Sequence, residues 1–217
     1  MFQIYFDKLS QATLETIYLT AVSTFFVAVF GIIWGILLFI TSKGEILENK
    51  YFYGVINIIT SIFRAIPFFI LIILLLPVTK IIMGTILGSN AAFPALILSV
   101  TPFYARVVET SFKEVDRGVI EAAKAYGATD LQIILKILIP ESIPNLLSNL
   151  TTLSIAIVGY TAMAGVIGAG GLGNLAFIEG FQRNNMFLTS LATIDVVILV
   201  FIIQAIGNFV VSKISYR

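Results

Sequence analysis

Long apolar runs alternate with short polar segments along the chain, and this pattern is typical of a protein that crosses a membrane several times. A helix of about 20 apolar residues spans the hydrocarbon core of a bilayer, which is about 30 Å thick. Helix is the expected state of each run, because hydrocarbon offers no partner to unpaired backbone groups. The runs predict five spans, at about 17–41, 54–79, 91–108, 143–167 and 187–211.

A mixed polar stretch precedes the first predicted span, and a stretch broken by glycine, serine and asparagine precedes the third. The N-terminal stretch, MFQIYFDKLSQATLET, mixes polar and apolar side chains. The run that follows is longer than a signal-peptide core and lacks a small-x-small cleavage site, so it is interpreted as a first span that is not cleaved. The stretch TKIIMGTILGSN leads into the third span, which Pro94 and Pro102 are expected to interrupt.

The composition agrees with that of a membrane protein, and it excludes several kinds of catalytic and metal-binding site. Only 12% of the residues are charged, against about 25% in soluble domains. The absence of cysteine and histidine removes thiolate nucleophiles, the commonest metal ligand and the usual general base. A net charge of +1 gives no reason to expect nucleic acid as a partner. No catalytic, cofactor or metal site is therefore predicted, and residues 1–217 are expected to form a single transmembrane domain.

Lysine and arginine are divided unevenly between the two faces that five spans create. Nine of them lie on the face that holds the C-terminus and the segments after the first and third spans. The other face holds Lys8, Lys80 and Arg183. Because basic loops remain in the cytoplasm, the N-terminus is predicted outside and the C-terminus in the cytoplasm. The basic segment 109–142 is then a cytoplasmic loop.

This cytoplasmic loop has the pattern of two short helices. RGVIEAAKAYG is composed largely of good helix formers and ends at Gly127, a residue suited to a left-handed C-terminal cap. Thr129 and Gln132 fit a capping box that opens a second helix. Pro140 and Pro144 are expected to break the chain before the fourth span. The loop is therefore predicted to fold as two short helices against the cytoplasmic face of the bundle.

A spaced motif runs through the same loop. Glu121-Ala122-Ala123 is followed after three residues by Gly127 and after nine more by Ile137-Leu138-Ile139-Pro140. This spacing resembles the EAA loop of ABC-importer permeases, written EAA, three residues, G, nine residues, I-x-L-P, with Ile139 in place of the usual leucine. The resemblance implies a coupling helix that docks into a groove on a separate ATPase. The coupling residues that it implies are Glu121, Ala122, Ala123, Gly127, Ile137 and Pro140.

The resemblance extends over nearly the whole chain and is closest to permeases of the methionine-uptake type. Three segments carry it: RAIPFFILIILLLPVTK at 64–80, SVTPFYARVVE at 99–109 and VGYTAMAGVIGAGGLGNLA at 158–176. It implies an all-α integral membrane protein of the bacterial cell membrane with the five-helix fold of a type I ABC importer permease. The partners it implies are a second copy of the permease, two ATPase subunits that bind the ATP, and a substrate-binding lipoprotein outside the membrane.

The function implied by the resemblance is a translocation pathway for methionine, as the D or L form or both. Another amino acid or small polar solute in the same importer class is an alternative, because it would share every motif. A more remote alternative is an ATP-independent secondary transporter. Such a protein would show inverted repeats and ionisable pairs within the membrane, and one patterned loop among five spans argues against it.

A glycine-rich motif follows the fourth span. Its sequence, GAGGLG at 168–173, matches the dinucleotide pattern G-x-G-x-x-G, but that pattern has meaning only between a strand and a helix. The motif is instead interpreted as a turn facing the binding protein or an outer gate. Small residues in the fourth span favour close helix packing, and they also suit a span that lines the path. The candidate pathway and gate residues are Tyr160, Met163, Gly170 and Gly171.

Arg64 and Asp195 are ionisable residues within the predicted second and fifth spans. Arg64 is placed in the cytoplasmic half of the second span, where it is expected to reach an interface or a structural partner, because a central arginine is costly in a bilayer. Asp195, in the fifth span, is interpreted as an interfacial residue or one half of a packing pair. No series of ionisable groups joins the two residues, so proton coupling is not predicted.

Overall fold

The computed structural model describes residues 2–45 and 47–214, which form helices joined by short turns, with no β-strand in those two ranges. The α-helices are α1 (Phe2–Thr41), α2 (Lys50–Ala65), α3 (Phe68–Leu74), α4 (Leu76–Met83), α5 (Phe93–Lys113), α6 (Arg117–Ala125), α7 (Asp130–Ile133), α8 (Ile139–Val166), α9 (Gly171–Asn174) and α10 (Met186–Ile214). A 3₁₀ turn, Ser89–Ala92, precedes α5, and π-helical segments Ile134–Leu138 and Leu175–Phe181 follow α7 and α9. Within the described residues, four continuous helical stretches are long and apolar enough to cross a membrane, and α2 with α3 would make a fifth span that is bent.

The helix α1 extends well beyond the predicted first span. It begins at Phe2 rather than near residue 17. Polar residues in its first turns have partners in the second half of the chain: Lys8 forms an ion pair with Glu179, and Glu15 accepts a hydrogen bond from the backbone of Gly171. Hydropathy alone does not show such partners, so the apolar run did not indicate that the helix continues toward the N-terminus.

The predicted continuous second span, 54–79, is wrong. The helix α2 ends at Ala65, and α3 begins at Phe68 with its axis turned by 106°. Proline at position 67 has no N–H and drives the preceding residue out of the helical region, so Ile66 is extended, with φ −79° and ψ 122°. The chain then continues through α3 and α4 and turns at Gly84, whose φ is +73°.

The helix α5 is the most buried of the long helices and organises the bundle. The expected interruption at Pro94 and Pro102 does not occur: the former lies in the first turn, where no backbone donor is lost, and the latter lies inside the helix. Two glycines of α1 allow a close approach. A Cβ on Gly31 would lie 2.6 Å from Tyr104 Cδ1, and one on Gly35 would lie 2.7 Å from the Ala105 carbonyl oxygen.

The predicted break between the loop and the fourth span is also wrong. The helix α7, the segment Ile134–Leu138 and α8 form one continuous helix, Asp130–Val166. Pro140 lies in the first turn of α8 and Pro144 inside it. The π-helical segment lets Ile139 donate its N–H to the carbonyl of Ile134, five residues earlier. Such local adjustment of the hydrogen-bond pattern accommodates proline in membrane helices.

Candidate coupling helix and glycine turn

The coupling motif begins in α6, which is short, exposed and capped at both ends. Asp116 accepts a hydrogen bond from the backbone N–H of Gly118, 2.7 Å away, at the start. At the end, the N–H groups of Gly127 and Ala128 donate to the carbonyls of Lys124 and Ala123 at 2.9 and 3.0 Å. This pair of hydrogen bonds requires a residue in the left-handed backbone conformation, and φ of Gly127 is +80°. The prediction that Gly127 terminates this helix is confirmed.

The exposed face of α6 contains more than the alanines of the motif. Glu121 and Ala122 are exposed, whereas Ala123 is partly buried against the core of the bundle. Val119 and Tyr126 are also exposed, the tyrosine to 93%. Positions 119, 122 and 126 share one helix face, so they present an apolar stripe that we call the α6 stripe. Their spacing in the sequence would have revealed this stripe.

The second half of the motif anchors the chain to the bundle. Thr129 Oγ1 accepts from Gln132 N at 3.3 Å, and Gln132 Oε1 accepts from Thr129 N at 2.9 Å, which confirms the predicted capping box. Ile137 is partly buried against the core, while Pro140 is exposed at the start of α8. The motif therefore divides into an exposed helix and an anchored one, joined by the turn at Gly127.

The loop after α1 also contacts the start of α6. Arg117 Nη2 lies 3.6 Å from Glu45 Oε1. Burial raises the pKa of the Glu45 carboxyl, and the positive charges of Arg117, Lys113 and Lys124 act against that rise. The glutamate therefore lies partly buried between α1 and α6, with basic side chains near it.

A buried carboxylate that the sequence analysis missed lies near the end of α5. Glu109 is 1% exposed, although the predicted third span ended just before it. It accepts hydrogen bonds from Arg106 and Lys113 of the same helix and from Tyr53 of α2. The spacing of 106, 109 and 113 in the sequence favours ion pairs on one helix face. No local signal indicates the partner in α2.

The glycine motif forms a tight turn that returns against α8. Gly168, Gly170 and Gly171 have φ of +95°, +77° and +73°. A Cβ on Gly173 would lie 2.6 Å from the carbonyl carbon of Ala162, and one on Gly165 would lie 2.8 Å from the carbonyl oxygen of Gly170. Only glycine permits the backbone to approach so closely.

The backbone donors of this turn are used within the chain. Gly171 N donates to Glu15 Oε2 at 2.7 Å, and Leu172 N donates to Thr16 Oγ1 at 2.9 Å. In a dinucleotide site such donors face a phosphate, and a strand precedes the turn. Here helix α8 precedes it and α1 occupies its donors. The geometry therefore fits a glycine turn after α8 and does not fit a dinucleotide site.

The four candidate gate residues do not share one environment. Tyr160 stacks on Phe68 of α3, with ring centroids 4.7 Å apart and an interplanar angle of 14°. Met163 is 47% exposed on α8. Gly170 is partly buried and Gly171 is buried in the turn against α1. Tyr160 thus links α8 to the helix that follows the bend, whereas the two glycines belong to the turn.

Arg64 and Asp195, which lie in the predicted second and fifth spans, both have partners in the protein. The guanidinium of Arg64 lies over the ring of Phe103, 5.0 Å from its centroid, in the last turn of α2 before the bend. Asp195 of α10 accepts a hydrogen bond from Thr13 of α1. The aspartate is therefore one half of a packing pair between the first and last helices.

The chain resembles known transport proteins along its whole length. A family described as "Binding-protein-dependent transport system inner membrane component" matches residues 28–216. The "Methionine import system permease protein MetP" of Bacillus subtilis (strain 168) is 54% identical, with 100% of both chains covered. The "Probable D-methionine transport system permease protein MetI" of Pasteurella multocida (strain Pm70) is 44% identical over 95% of each chain.

The fold is that of a solved ABC transporter. A structure entitled "Inward facing conformations of the MetNI methionine ABC transporter" superimposes with a TM-score of 0.93 and 40% identity, covering 95% of this chain and 96% of that one. The all-helical fold of the described residues, with helices apolar enough to cross a membrane, agrees with the match to an inner-membrane component across residues 28–216. The chain therefore belongs to the family of inner-membrane components of binding-protein-dependent transport systems, and it is a multi-pass membrane protein.

Proposed function

We propose that the chain is the permease subunit of an ATP-driven ABC importer for methionine, as the D or L form or both. The observation that carries this proposal is the 54% identity with a methionine import permease, with both chains covered completely. The relatives are permease components, so the chain is a transport subunit and the ATP is hydrolysed by a separate partner.

The working assembly has two copies of this permease, two ATPase subunits and a substrate-binding lipoprotein. Helix α6 supports the ATPase contact, because it is exposed and its apolar α6 stripe, with Tyr126 at 93% exposure, has no cover from the described part of the chain. An apolar stripe of this kind fits a groove on a partner protein. Docking of α6 would transmit the closure of the ATPase dimer to the helices of the membrane domain.

The pathway lies along α8 and the helices that follow the bend. Tyr160 supports this placement, because its stack on Phe68 makes the position of α8 depend on the position of α3. Met163 adds a flexible exposed side chain one turn further along α8. The turn with Gly170 and Gly171 caps the outer end of this helix. Alternating access then requires these helices to move relative to one another while the solute is enclosed.

Reconstituted transport tests the proposed solute. Proteoliposomes that contain the permease and its ATPase, with ATP supplied on the ATPase face and the lipoprotein on the opposite face, should transport radiolabelled methionine toward the ATPase face. Transport should require ATP and should persist when ion gradients are collapsed, because ATP closure of the ATPase drives the cycle. Competition by unlabelled D- and L-methionine measures the stereochemical preference. Uptake of another amino acid that excess methionine does not reduce would contradict the assignment to methionine.

The orientation in the membrane is a second prediction. We propose an external N-terminus and a cytoplasmic α6, from the nine-to-three division of basic residues. The chain contains no cysteine, so single-cysteine variants at the exposed residues Asp7 and Lys43 have no background. A membrane-impermeant maleimide should label Asp7→Cys in intact cells and Lys43→Cys only after permeabilisation. The reverse result would contradict this topology.

A further inference from the structure

The buried carboxylate of Glu109 in α5 connects this helix to α2 through hydrogen bonds, and we call this connection the Glu109 joint. Its Oε1 accepts from Tyr53 Oη at 3.1 Å and from Lys113 Nζ at 2.6 Å, and its Oε2 accepts from Arg106. Lys113 Nζ also lies 5.9 Å from the centre of the Tyr53 ring. A buried carboxylate is stable only when its oxygens are paired in this way. The shared carboxylate therefore fixes the positions of Tyr53, Lys113 and Arg106 relative to one another.

This joint attaches the first turns of α2 to α5. Tyr53 and Asn57 lie one turn apart on α2, and both bond to the cluster, since Arg106 also donates to Asn57 Oδ1. Further along the same helix, Trp34 of α1 donates to Thr60 Oγ1 at 3.0 Å. Polar contacts thus hold one face of α2, and the face on the other side is exposed and apolar.

The same end of α5 carries the coupling helix. Lys113 is the last residue of α5, and the cap of α6 is Asp116. So short a connection cannot absorb a large displacement of α6, because a residue spans at most about 3.6 Å when extended. A large displacement of α6 should therefore also displace the end of α5 and, through Glu109, the start of α2.

A separate set of bonds connects the end of α5 to α8. Ser142 Oγ donates to the carbonyl oxygen of Ser111 at 3.3 Å, and Asn145 Nδ2 donates to Ser111 Oγ and to Glu114 Oε2, each at 3.1 Å. Helix α8 is also continuous with the anchored half of the coupling motif. The hydrogen bonds between the end of α5 and α8 thus do not involve Glu109. The hydrogen bonds between α5 and α2, in contrast, are those of the Glu109 cluster.

We propose that Glu109 is a positioning residue that transmits movement of the coupling helix α6 to α2, and from there through the bend to α3. This inference rests on the proposed function of the chain as an ATP-coupled permease. The ring stack between Phe68 and Tyr160 then carries the displacement of α3 to the candidate gate. Without the joint, α6 still docks and ATP is still hydrolysed, but α2 no longer follows.

Two variants separate this role from a contribution to stability. Glu109→Gln removes the charge at constant size and weakens the bonds to Arg106 and Lys113. The double variant Tyr53→Phe with Asn57→Ala removes the side-chain bonds of α2 to the cluster and keeps both ion pairs of Glu109 within α5. Glu109→Asp keeps the charge and should restore part of the coupling. Glu141→Gln is the matched control, because that exposed carboxylate forms no side-chain bond among the described residues.

Each variant is assembled with its ATPase in proteoliposomes, with the lipoprotein on the opposite face, and also carries Ser61→Cys, an exposed position of α2. The experiment measures ATP hydrolysis, solute uptake, and the change in maleimide labelling at position 61 when ATP is added. We expect hydrolysis within about twofold of the parent, with uptake per ATP lower by about tenfold in Glu109→Gln and in the double variant, as charge-assisted bonds are lost or disconnected. The change in labelling should disappear in both.

Parallel loss of hydrolysis and uptake in Glu109→Gln, together with a normal double variant, would overturn the proposal in favour of a purely structural role. Unchanged uptake per ATP and unchanged labelling in both variants would also overturn it. If the parent shows the ATP-dependent labelling change but no methionine uptake, the assignment to methionine fails. Loss of that labelling change in the variants would then still support the role of Glu109.

Discussion

Replacing Gly127 with valine should give a permease that inserts into the membrane but no longer imports its solute. The residue has φ +80°, a region that costs an ordinary residue about 1–2 kcal/mol and a β-branched residue more. No atom lies within 4 Å of a Cβ built at this position, so the penalty comes from the backbone alone. The two bonds that close α6 should break, and α6 should lose its fixed angle to α7.

The measurement compares three quantities: the amount of permease in the membrane fraction, co-purification with the ATPase, and ATP-dependent uptake. Gly127→Asn is the matched control, because asparagine tolerates the left-handed region far better than valine. It should retain most of the uptake that the valine variant loses. Normal uptake in Gly127→Val would remove the main support for α6 as the coupling element.

A second variant in α6 separates failed docking from failed transmission. Ala122 is exposed in the α6 stripe, so Ala122→Trp should leave the fold of the permease intact and obstruct a partner groove. We expect the ATPase to be lost from this variant on purification. Its contrast with Ala123 is informative, since the side chain of Ala123 is partly buried against the permease itself. Retention of the ATPase by Ala122→Trp would place the docking surface elsewhere.

Replacing Gly173 with alanine should impair folding of the membrane domain itself. The new Cβ would lie 2.6 Å from the carbonyl carbon of Ala162, inside van der Waals contact with backbone that cannot rotate away. Overpacking against a rigid neighbour costs about 1–3 kcal/mol. The turn should move away from α8. This movement should also weaken the hydrogen bonds from the turn to Glu15 and Thr16 of α1.

The expected result is a lower yield of monodisperse permease in mild detergent and a lower midpoint of thermal unfolding. Gly54→Ala makes the same chemical change in another helix of the bundle, where nothing lies within 4 Å of the new Cβ. This control should give the parent's yield and an equal or slightly higher melting midpoint, because alanine favours a helix interior more than glycine does. A stable Gly173→Ala permease with an unchanged melting midpoint would contradict the close packing of the turn on α8.

Local features of the coupling motif could be predicted from the sequence. The end of α6 at Gly127 and the capping box of Thr129 with Gln132 both depend on residues within one helical turn of each other. Caps satisfy backbone groups that the helix itself leaves free, so neighbouring residues are sufficient to define them. The apolar α6 stripe is equally local, because its three positions follow the spacing of a single helix face.

The prolines show where local reasoning fails. Pro67 turns the chain by 106°, whereas Pro102 and Pro144 lie within helices. Each lacks the same N–H group, but the cost depends on what surrounds it. Neighbouring helices and π-helical adjustments can satisfy the carbonyls that a proline leaves free. The sequence marks every proline and does not show which of them has such support.

The sequence by itself determined that the chain is a helical membrane protein, because hydropathy acts along the chain, and the spacing of residues 121–140 resembles the coupling loop of ABC-importer permeases. Only the tertiary structure brought Glu109 to Tyr53, and Glu15 and Thr16 to the glycine turn. Each of those polar groups finds its partner on a helix distant in sequence, and neither helix alone contains a signal for the other. Burial makes such partners necessary, since a polar group removed from water requires a hydrogen bond.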